Sequence, residues 1–272
     1  MQIKSQYSTK GRIVELIKNL REIDKAIRNG EDTVDLTEVE WIYPISFLPI
    51  VVYANHNNII IESYEEDYNI CNYLDSIFFP VGTTRLSGVH KDYLPITKLA
   101  CTIRNDILTR YEDRIIAKVP SEFRNPFLYS LKYLTSELEA NVREHAKVKD
   151  YWIFSQYWNA TRTCEIAMCD IGIGYKASYK GTPYEVASHI DAIINALKGK
   201  SSKHPKERGA GIPSIVRMFI EGYKGEIIIM SGDTLLYIHE GENIAYRLGM
   251  LWQGSFVGLR FVLKGINIYD YL

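Results

Sequence analysis

The sequence lacks a long apolar run. None of its apolar stretches approaches the roughly 20 residues that a membrane-spanning helix requires, and the start, MQIKSQYSTKGR, has no apolar segment of the signal-peptide kind. We therefore expect a cytoplasmic protein without a membrane partner. The chain also has little net charge, -1 over 272 residues. This balance does not favour nucleic acid as a partner.

Paired cysteines are also missing. The four cysteines are scattered, with no CxxC pair and no histidine at zinc-finger spacing. We expect them to be free thiols in a reducing compartment rather than disulfides or zinc ligands. They are Cys71, Cys101, Cys164 and Cys169.

The first half of the chain alternates helices and strands. Apolar residues at helical spacing predict an amphipathic helix over residues 9–29, with Gly30 as its C-cap. TVDLTEV and NIIIES predict strands, and IYPISFLPIVVYAN and YNICNYLDSIFF predict helices. A segment rich in glycine, threonine and serine interrupts the pattern near residues 81–95. We therefore predict two domains, 1–95 and 96–272.

The second half predicts helices followed by a strand meander. Asn125 and Pro126, an N-cap followed by a proline, predict a helix from there to about residue 146. DYWIFSQYW and CEIAMCD predict strands, and Thr182 predicts the start of a helix that ends before Gly199. After the apolar helix IVRMFI, four strands are predicted: GEIIIMS, TLLYIHE, NIAYRLG and SFVGLRFVLK. This order is typical of an α+β sandwich.

The first of these helices carries two polar residues that suit a nucleotide site. Glu137, Asn141 and His145 are spaced four residues apart, so they lie one above another beside the buried stripe that includes Leu134 and Leu138. The side-chain oxygen of Asn141 is a suitable magnesium ligand, and Glu137 could orient or deprotonate a nucleophile. Taken alone, the helix favours the simpler interpretation, in which all three are ordinary polar residues at the edge of an amphipathic helix.

A second motif, DIGIG, follows the apolar strand CEIAMC. Strand alternation places Asp170 on the same face as Ile166 and Met168. A carboxylate at the base of an apolar pocket can accept a hydrogen bond from the amino group of adenine. Gly172 and Gly174 would let the backbone approach the nucleotide. Turns after strands often have this composition, so the motif alone is a weak signal.

Two further motifs complete the order. An apolar helix is preceded by Arg208, Gly209 and Gly211. The exposed amide groups and the positive dipole end at the N-terminus of such a helix favour the binding of phosphate. Ser255, after Gly254, precedes the last strand, where its hydroxyl could complete the adenine contacts. The basic residues before Gly209 could also form a solvated loop. Nucleic acid is not expected there because no aromatic residues are interleaved.

Together these four motifs, within about residues 105–264, resemble the N box, two glycine boxes and GT box of the GHKL ATPases. This superfamily includes gyrase, heat-shock chaperones, MutL and sensor histidine kinases. ELEANVREHA is similar to the N box, which implies Glu137 as catalytic base and Asn141 as magnesium ligand. RGAGI implies that Gly209 and Gly211 flank the phosphates at the end of a mobile ATP lid over about residues 176–208.

The resemblance further implies Asp170 as the adenine-reading acid, with Ser255 in place of the threonine of the GT pair. It implies a Bergerat fold, an α/β sandwich in which helices cover one face of a mixed sheet, with ATP and Mg2+ as ligands. The residues expected to hold the nucleotide are Asn141, Asp170, Gly172, Gly174, Arg208, Gly209, Gly211 and Ser255.

The N-terminal half resembles a STAS domain over about residues 10–82. TVDLTEVEWIYPISFLPIV is similar to the strand, loop and helix of that fold. The aspartate-serine-serine-glycine stretch usual in the family is replaced here by residues 43–46, YPIS. The resemblance therefore implies a STAS-like α/β domain followed by the Bergerat-fold domain.

The expected function is that of a regulatory Mg-ATP-binding protein, either an ATPase or a serine/threonine protein kinase acting on a protein partner. The compact N box and short lid look closest to the anti-sigma-factor serine kinases. Glu144 stands where histidine kinases usually have a basic residue, and no phosphoacceptor-histidine helix is found, so a histidine kinase is not expected. A homodimer is plausible by analogy. The alternatives are a nucleotide-dependent interaction switch without catalysis and a degenerate scaffold without nucleotide.

Overall fold

The computed structural model describes residues 8–36, 43–62, 68–84, 92–101, 106–200 and 211–271. In the N-terminal part, β1 and β2 pair in parallel as a separate two-stranded sheet. The predicted alternation of helices and strands is confirmed there, although residues 37–39 of the first predicted strand lie outside the described residues. The elements are α1 (Thr9–Asn29), β1 (Thr33–Asp35), α2 (Pro44–His56), β2 (Ile60–Glu62) and α3 (Tyr68–Ser76).

The C-terminal part contains the main sheet and the helices that cover it. The predicted strands DYWIFSQYW and CEIAMCD are confirmed as β4 and β5, whereas β3, α4 and α6 were not predicted. π-helical segments, Val142–Ala146 and Arg217–Gly222, directly follow α5 and α8. The elements are β3 (Tyr93–Ala100), α4 (Asp106–Lys118), α5 (Ser121–Asn141), β4 (Asp150–Trp158), β5 (Thr163–Asp170), α6 (Gly174–Ser178), α7 (His189–Leu197), α8 (Gly211–Val216), β6 (Glu226–His239) and β7 (Glu242–Val262).

The main sheet has five strands in the order β3-β4-β5-β7-β6. Every pairing between these strands is antiparallel. The α/β class is therefore confirmed, but the expected mixed sheet is corrected to an antiparallel one. The reason is local, because short turns join β4 to β5 and β6 to β7, and strands joined by such turns run in opposite directions.

The four strands predicted after residue 225 are in fact two long strands, β6 and β7. Their pairing shifts register twice, between Met230 and Gly232 and between Gly232 and Thr234. Gly232, Gly249 and Gly254 have positive φ at these irregularities. The glycines and polar residues that suggested turns therefore form bulges within continuous strands.

Two predicted helix starts are wrong. α5 begins at Ser121, so Pro126 lies inside the helix rather than at its first position; a proline this near the N-terminus removes a single backbone hydrogen bond. α7 begins at His189, where the Ser188 hydroxyl accepts the amide of Asp191 at 3.2 Å. Thr182 instead forms a turn, and its hydroxyl donates to the Tyr179 carbonyl at 2.8 Å.

Apolar cores lie on both faces of the main sheet. On one face, side chains of the sheet pack with α4, α5, α7 and α8, as shown by Leu131, Ile193 and Ile166. On the other face they pack with α1 and α2, as shown by Leu20 and Val51. The two halves thus share a core, and the predicted boundary after residue 95 falls within β3. The division into two domains stays a prediction.

The described cysteines are free thiols, as predicted. Among the described helices, none combines the length and apolar character needed to cross a membrane.

Candidate functional site

Asp170 and Ser255 face each other at one end of the β5–β7 ladder. The hydroxyl of Ser255 donates to Oδ2 of Asp170, and the amide of Gly172 donates to Oδ1 at 2.7 Å. Asp170 is 1% exposed. Burial raises the pKa of this carboxyl, and the hydrogen bonds from Ser255 and Gly172 oppose the rise. The structure therefore holds a buried carboxyl in which each oxygen accepts a hydrogen bond, one from Ser255 and one from Gly172.

The side chain of Asp170 belongs to the face of the sheet that α5 covers. Along β5, Ile166 and Met168 pack into the core beneath α5, whereas Ala167 and Cys169 pack against the N-terminal helices. Alternation along a strand then directs Asp170 to the side of Ile166 and Met168, as predicted. The side chain of Asp170, at the end of the β5–β7 ladder, therefore lies in the layer between the main sheet and the helices that include α5.

The glycine turn after Asp170 contacts the end of the helix that carries Asn141. The amide of Ile173 donates to the carbonyl of Ala146 at 3.1 Å. A Cβ added at Gly172 would lie 2.2 Å from that same carbonyl oxygen. Only glycine permits this approach, which joins the DIGIG turn to the π-helical segment that follows α5.

Asn141 is the last residue of α5, immediately before the π-helical turn Val142–Ala146. Its Nδ2 is buried and has no hydrogen-bond partner among the described residues. Buried amide groups are ordinarily paired, so an unpaired one indicates a place where a ligand can supply the partner. Single π-helical turns within α-helices are also frequent at functional sites.

Glu137 lies one turn before Asn141 and against the first residue of α8. A Cβ added at Gly211 would lie 2.4 Å from Oε2 of Glu137. The structure therefore brings together the first polar residue of the N-box-like motif and the last glycine of the RGAGI motif. Arg208 and Gly209 lie outside the described residues.

The region predicted as a lid begins with a short helix and turns and continues into α7. Ser188 caps α7, and the hydroxyl of Tyr179 donates to the carbonyl of Lys200 at 2.6 Å. His189 packs against Gly232 of β6, where an added Cβ would lie 2.0 Å from Nδ1 of the imidazole. The described part of this region is therefore anchored on the edge strand of the sheet.

Ser231 and Gly254 belong to the same constellation and were not predicted as site residues. The Ser231 hydroxyl donates to the Gly254 carbonyl at 2.8 Å and accepts the Tyr175 amide at 3.2 Å. A Cβ added at Gly174 would lie 2.6 Å from the Ser231 oxygen. The sequence offers only a weak signal for Ser231, because it is a single serine that follows the apolar residues Ile227–Met230. Periodicity alone does not distinguish such a serine from an ordinary residue at the end of a strand.

Within the described ranges, no group of three or more histidine, cysteine, aspartate or glutamate residues is arranged so that it could hold a metal ion. A magnesium ion would thus have a single candidate ligand here, Asn141, with the remaining positions left to phosphate and water, an arrangement usual for that ion.

Comparison with models of known protein families gives no match to this chain, and comparison with characterised protein sequences gives none either.

Proposed function

We propose that this protein binds ATP with magnesium and acts as a regulatory ATPase or serine/threonine protein kinase of the GHKL type. The observation that carries the proposal is the buried Asp170, which is bonded to Ser255 and Gly172 and joined through the Gly172 turn to the helix of Asn141. Three motifs distant in sequence supply these groups in the order that the GHKL resemblance implies.

Asp170 is suited to read adenine. Ionised, it would accept a hydrogen bond from the amino group of the base while Ser255 and Gly172 hold its two oxygens. The apolar residues Ile166 and Met168 on the same face would exclude water from the base. A buried acceptor of this kind disfavours a base that presents a carbonyl at the same position.

The phosphate side would be formed by Asn141, Glu137 and the start of α8. The buried and unpaired Nδ2 of Asn141 would donate to a phosphate oxygen of the nucleotide, and Oδ1 of the same side chain would bind magnesium. A magnesium ion held there would offset charge on the phosphates. Gly211, with no side chain, lets the carboxylate of Glu137 lie against the start of α8.

Glu137 would orient the group that attacks the terminal phosphate, either a water or a hydroxyl of a protein partner. Its carboxylate already lies beside Gly211 at the start of α8. The positions of Glu137 and Asn141 on successive turns of α5 would place the base and the metal ligand on the same side of the nucleotide.

The finer architecture forms part of the proposal. The antiparallel five-stranded sheet with α5, α7 and α8 on one face would be the Bergerat-type layer, and α1 to α3 with β1 and β2 would be the STAS-like part. A protein phosphoacceptor or regulatory partner, a homodimer and a cytoplasmic location remain predictions.

Calorimetric titration of ATP, with magnesium and with a chelator, tests the proposal. We expect magnesium-dependent binding by the wild-type chain and its loss in Asp170→Asn. The matched control is Asp150→Asn, since Asp150 is a half-exposed aspartate at the start of β4 that pairs with Lys98. Absence of ATP binding by the folded wild-type chain, or equal binding by wild type and Asp170→Asn, would contradict the proposal.

A further inference from the structure

Ser231 is a buried serine on the edge strand of the main sheet. It is 1% exposed and follows the fully apolar residues Ile227–Met230 of β6. A hydroxyl in such surroundings requires hydrogen-bond partners, because an unpaired polar group there is costly. The role of the Ser231 side chain therefore depends on which groups it hydrogen-bonds.

Both partners are backbone groups at or next to glycines near Asp170, one at the bulge of β7 and one at the start of α6. The hydroxyl donates to the Gly254 carbonyl at 2.8 Å and accepts the Tyr175 amide at 3.2 Å. Gly254 precedes Ser255 in β7, and Tyr175 follows Gly174 after β5. One side chain on a third strand therefore connects the two segments that supply the hydrogen bonds to Asp170.

Contact with Asp170 is close on the Gly254 side. Gly254 has φ +91, and a Cβ added there would lie 2.1 Å from the Asp170 carbonyl oxygen. A Cβ added at Gly174 would likewise lie 2.6 Å from the Ser231 oxygen. The backbone segments around Asp170 thus pack against one another without side chains between them. A shift of the segment at Gly174 or of the segment at Gly254 would therefore move the Gly172 amide or the Ser255 hydroxyl, which donate to the carboxyl.

We propose that Ser231 is a positioning residue that makes the site selective for a 6-aminopurine over a 6-oxopurine. This inference rests on the proposed ATP site. The carboxyl of Asp170 selects an amino group only when it is held in place, because a displaced acceptor can turn away from an opposing carbonyl. Ser231 supplies that restraint without touching the base.

The test compares the dissociation constants of ATP and inosine triphosphate in the presence of magnesium, measured by calorimetry. We expect Ser231→Ala to weaken ATP binding about tenfold, equivalent to about 1.4 kcal/mol. Inosine triphosphate lacks the amino group, so its affinity should change much less and the preference for ATP should fall. Ser231→Thr keeps the hydroxyl and should restore most of the preference.

Ser155→Ala is the matched control. Ser155 is also fully buried on the main sheet, and its hydroxyl donates across strands to the Glu165 carbonyl at 2.7 Å. This variant loses an equivalent hydrogen bond away from Asp170 and should keep the wild-type preference for ATP. A loss of preference in both serine-to-alanine variants would reduce Ser231 to a general stabilising residue and overturn the inference.

Ser231→Cys provides a second variant of similar size should Ser231→Ala fold poorly, since a thiol is a weaker donor. It too should lower the preference for ATP. Wild type that prefers ATP, together with Ser231→Ala and Ser231→Cys that keep the same preference, overturns the inference and leaves the proposed function intact. Wild type that binds neither nucleotide overturns the proposed function itself.

Discussion

Arg12 attaches the N-terminal helix α1 to the main sheet through a buried ion pair. Its Nη1 lies 2.8 Å from Oε1 of Glu165, and the two side chains are 5% and 0% exposed. The guanidinium also stands 3.4 Å from the ring centroid of Tyr43. Arg260 provides a second cation, with its Nε 3.1 Å from the same carboxylate oxygen. Replacing Arg12 by alanine tests whether α1 is bonded to the sheet in this way.

The expected loss of stability follows from the burial of Glu165. Removing one partner of a buried pair costs about 3–5 kcal/mol, because the remaining charge is left in a poorly solvated place. The lost cation–π contact with Tyr43 contributes about 0.5–2 kcal/mol. Arg260 remains beside Glu165 and compensates in part. We therefore expect Arg12→Ala to lower the free energy of unfolding by about 3 kcal/mol.

Urea unfolding followed by circular dichroism measures this difference, and Lys10→Ala is the control on the same helix. Lys10 also pairs with a glutamate, Glu242, at 2.7 Å, but the two side chains are 43% and 41% exposed. Such a surface pair contributes about 0–1 kcal/mol. The double variant Arg12→Met with Glu165→Met removes both charges and should regain most of the stability lost in Arg12→Ala.

The deficit of Arg12→Ala should also depend on pH. Burial raises the pKa of Glu165, and the guanidinium groups of Arg12 and Arg260 oppose that rise. Without Arg12 the pKa rises further, and below it Glu165 is neutral and no longer needs a cation. The difference from wild type should therefore shrink as the pH falls from neutral towards the acidic range. A stability of Arg12→Ala within about 1 kcal/mol of wild type at neutral pH would show that this ion pair does not hold α1 on the sheet.

Three further changes have defined outcomes. Glu137→Gln should retain ATP affinity and lower turnover about 100-fold or more, measured by phosphate release; unchanged turnover would exclude Glu137 as the base. Gly254→Ala forces a side chain at φ +91 to within 2.1 Å of the Asp170 carbonyl oxygen, so calorimetric scanning should show a loss of about 2 kcal/mol or more, and an unchanged melting temperature would contradict this packing. Burial raises the pKa of the Glu112 carboxyl, and the hydrogen bond from Thr135 opposes that rise. The folded state therefore binds this proton more tightly than the unfolded state does. The stability of the wild type should fall as the pH rises from the ordinary pKa of a carboxyl through the raised pKa of Glu112. Glu112→Gln should flatten that slope in urea unfolding across the same pH range, and an equal slope in both proteins would show that Glu112 is not its source.

Elements with a strong local pattern could be predicted from the sequence. α1 ends at Asn29 with Gly30 in the left-handed region, as its spacing and glycine indicate. β4 is dense in aromatic residues and β5 in apolar ones, and both fall where predicted. The orientation of Asp170 also followed from alternation along β5 alone. In each case the signal lies within a few neighbouring residues.

Features set by distant contacts could not be predicted in this way. Helix α5 begins before Pro126, because a helix tolerates a proline in its early turns. The residues Asn125 and Pro126 are typical of a helix start, but they do not show whether the residues before them are already helical. The glycines of β7 resemble turns, but pairing with β6 makes them bulges. Ser231 joins the site through a third strand, and only the fold shows which backbone groups it reaches. The packing of α1 and α2 on the face of the main sheet opposite α5 likewise depends on tertiary contacts that no local pattern in the sequence indicates.

The most direct test of the central claim is a crystal structure with magnesium and a non-hydrolysable ATP analogue. We expect the amino group of adenine to donate a hydrogen bond to the carboxylate of Asp170 and the side-chain oxygen of Asn141 to bind magnesium. An analogue bound elsewhere on the protein, or a base whose amino group does not contact Asp170, would contradict it.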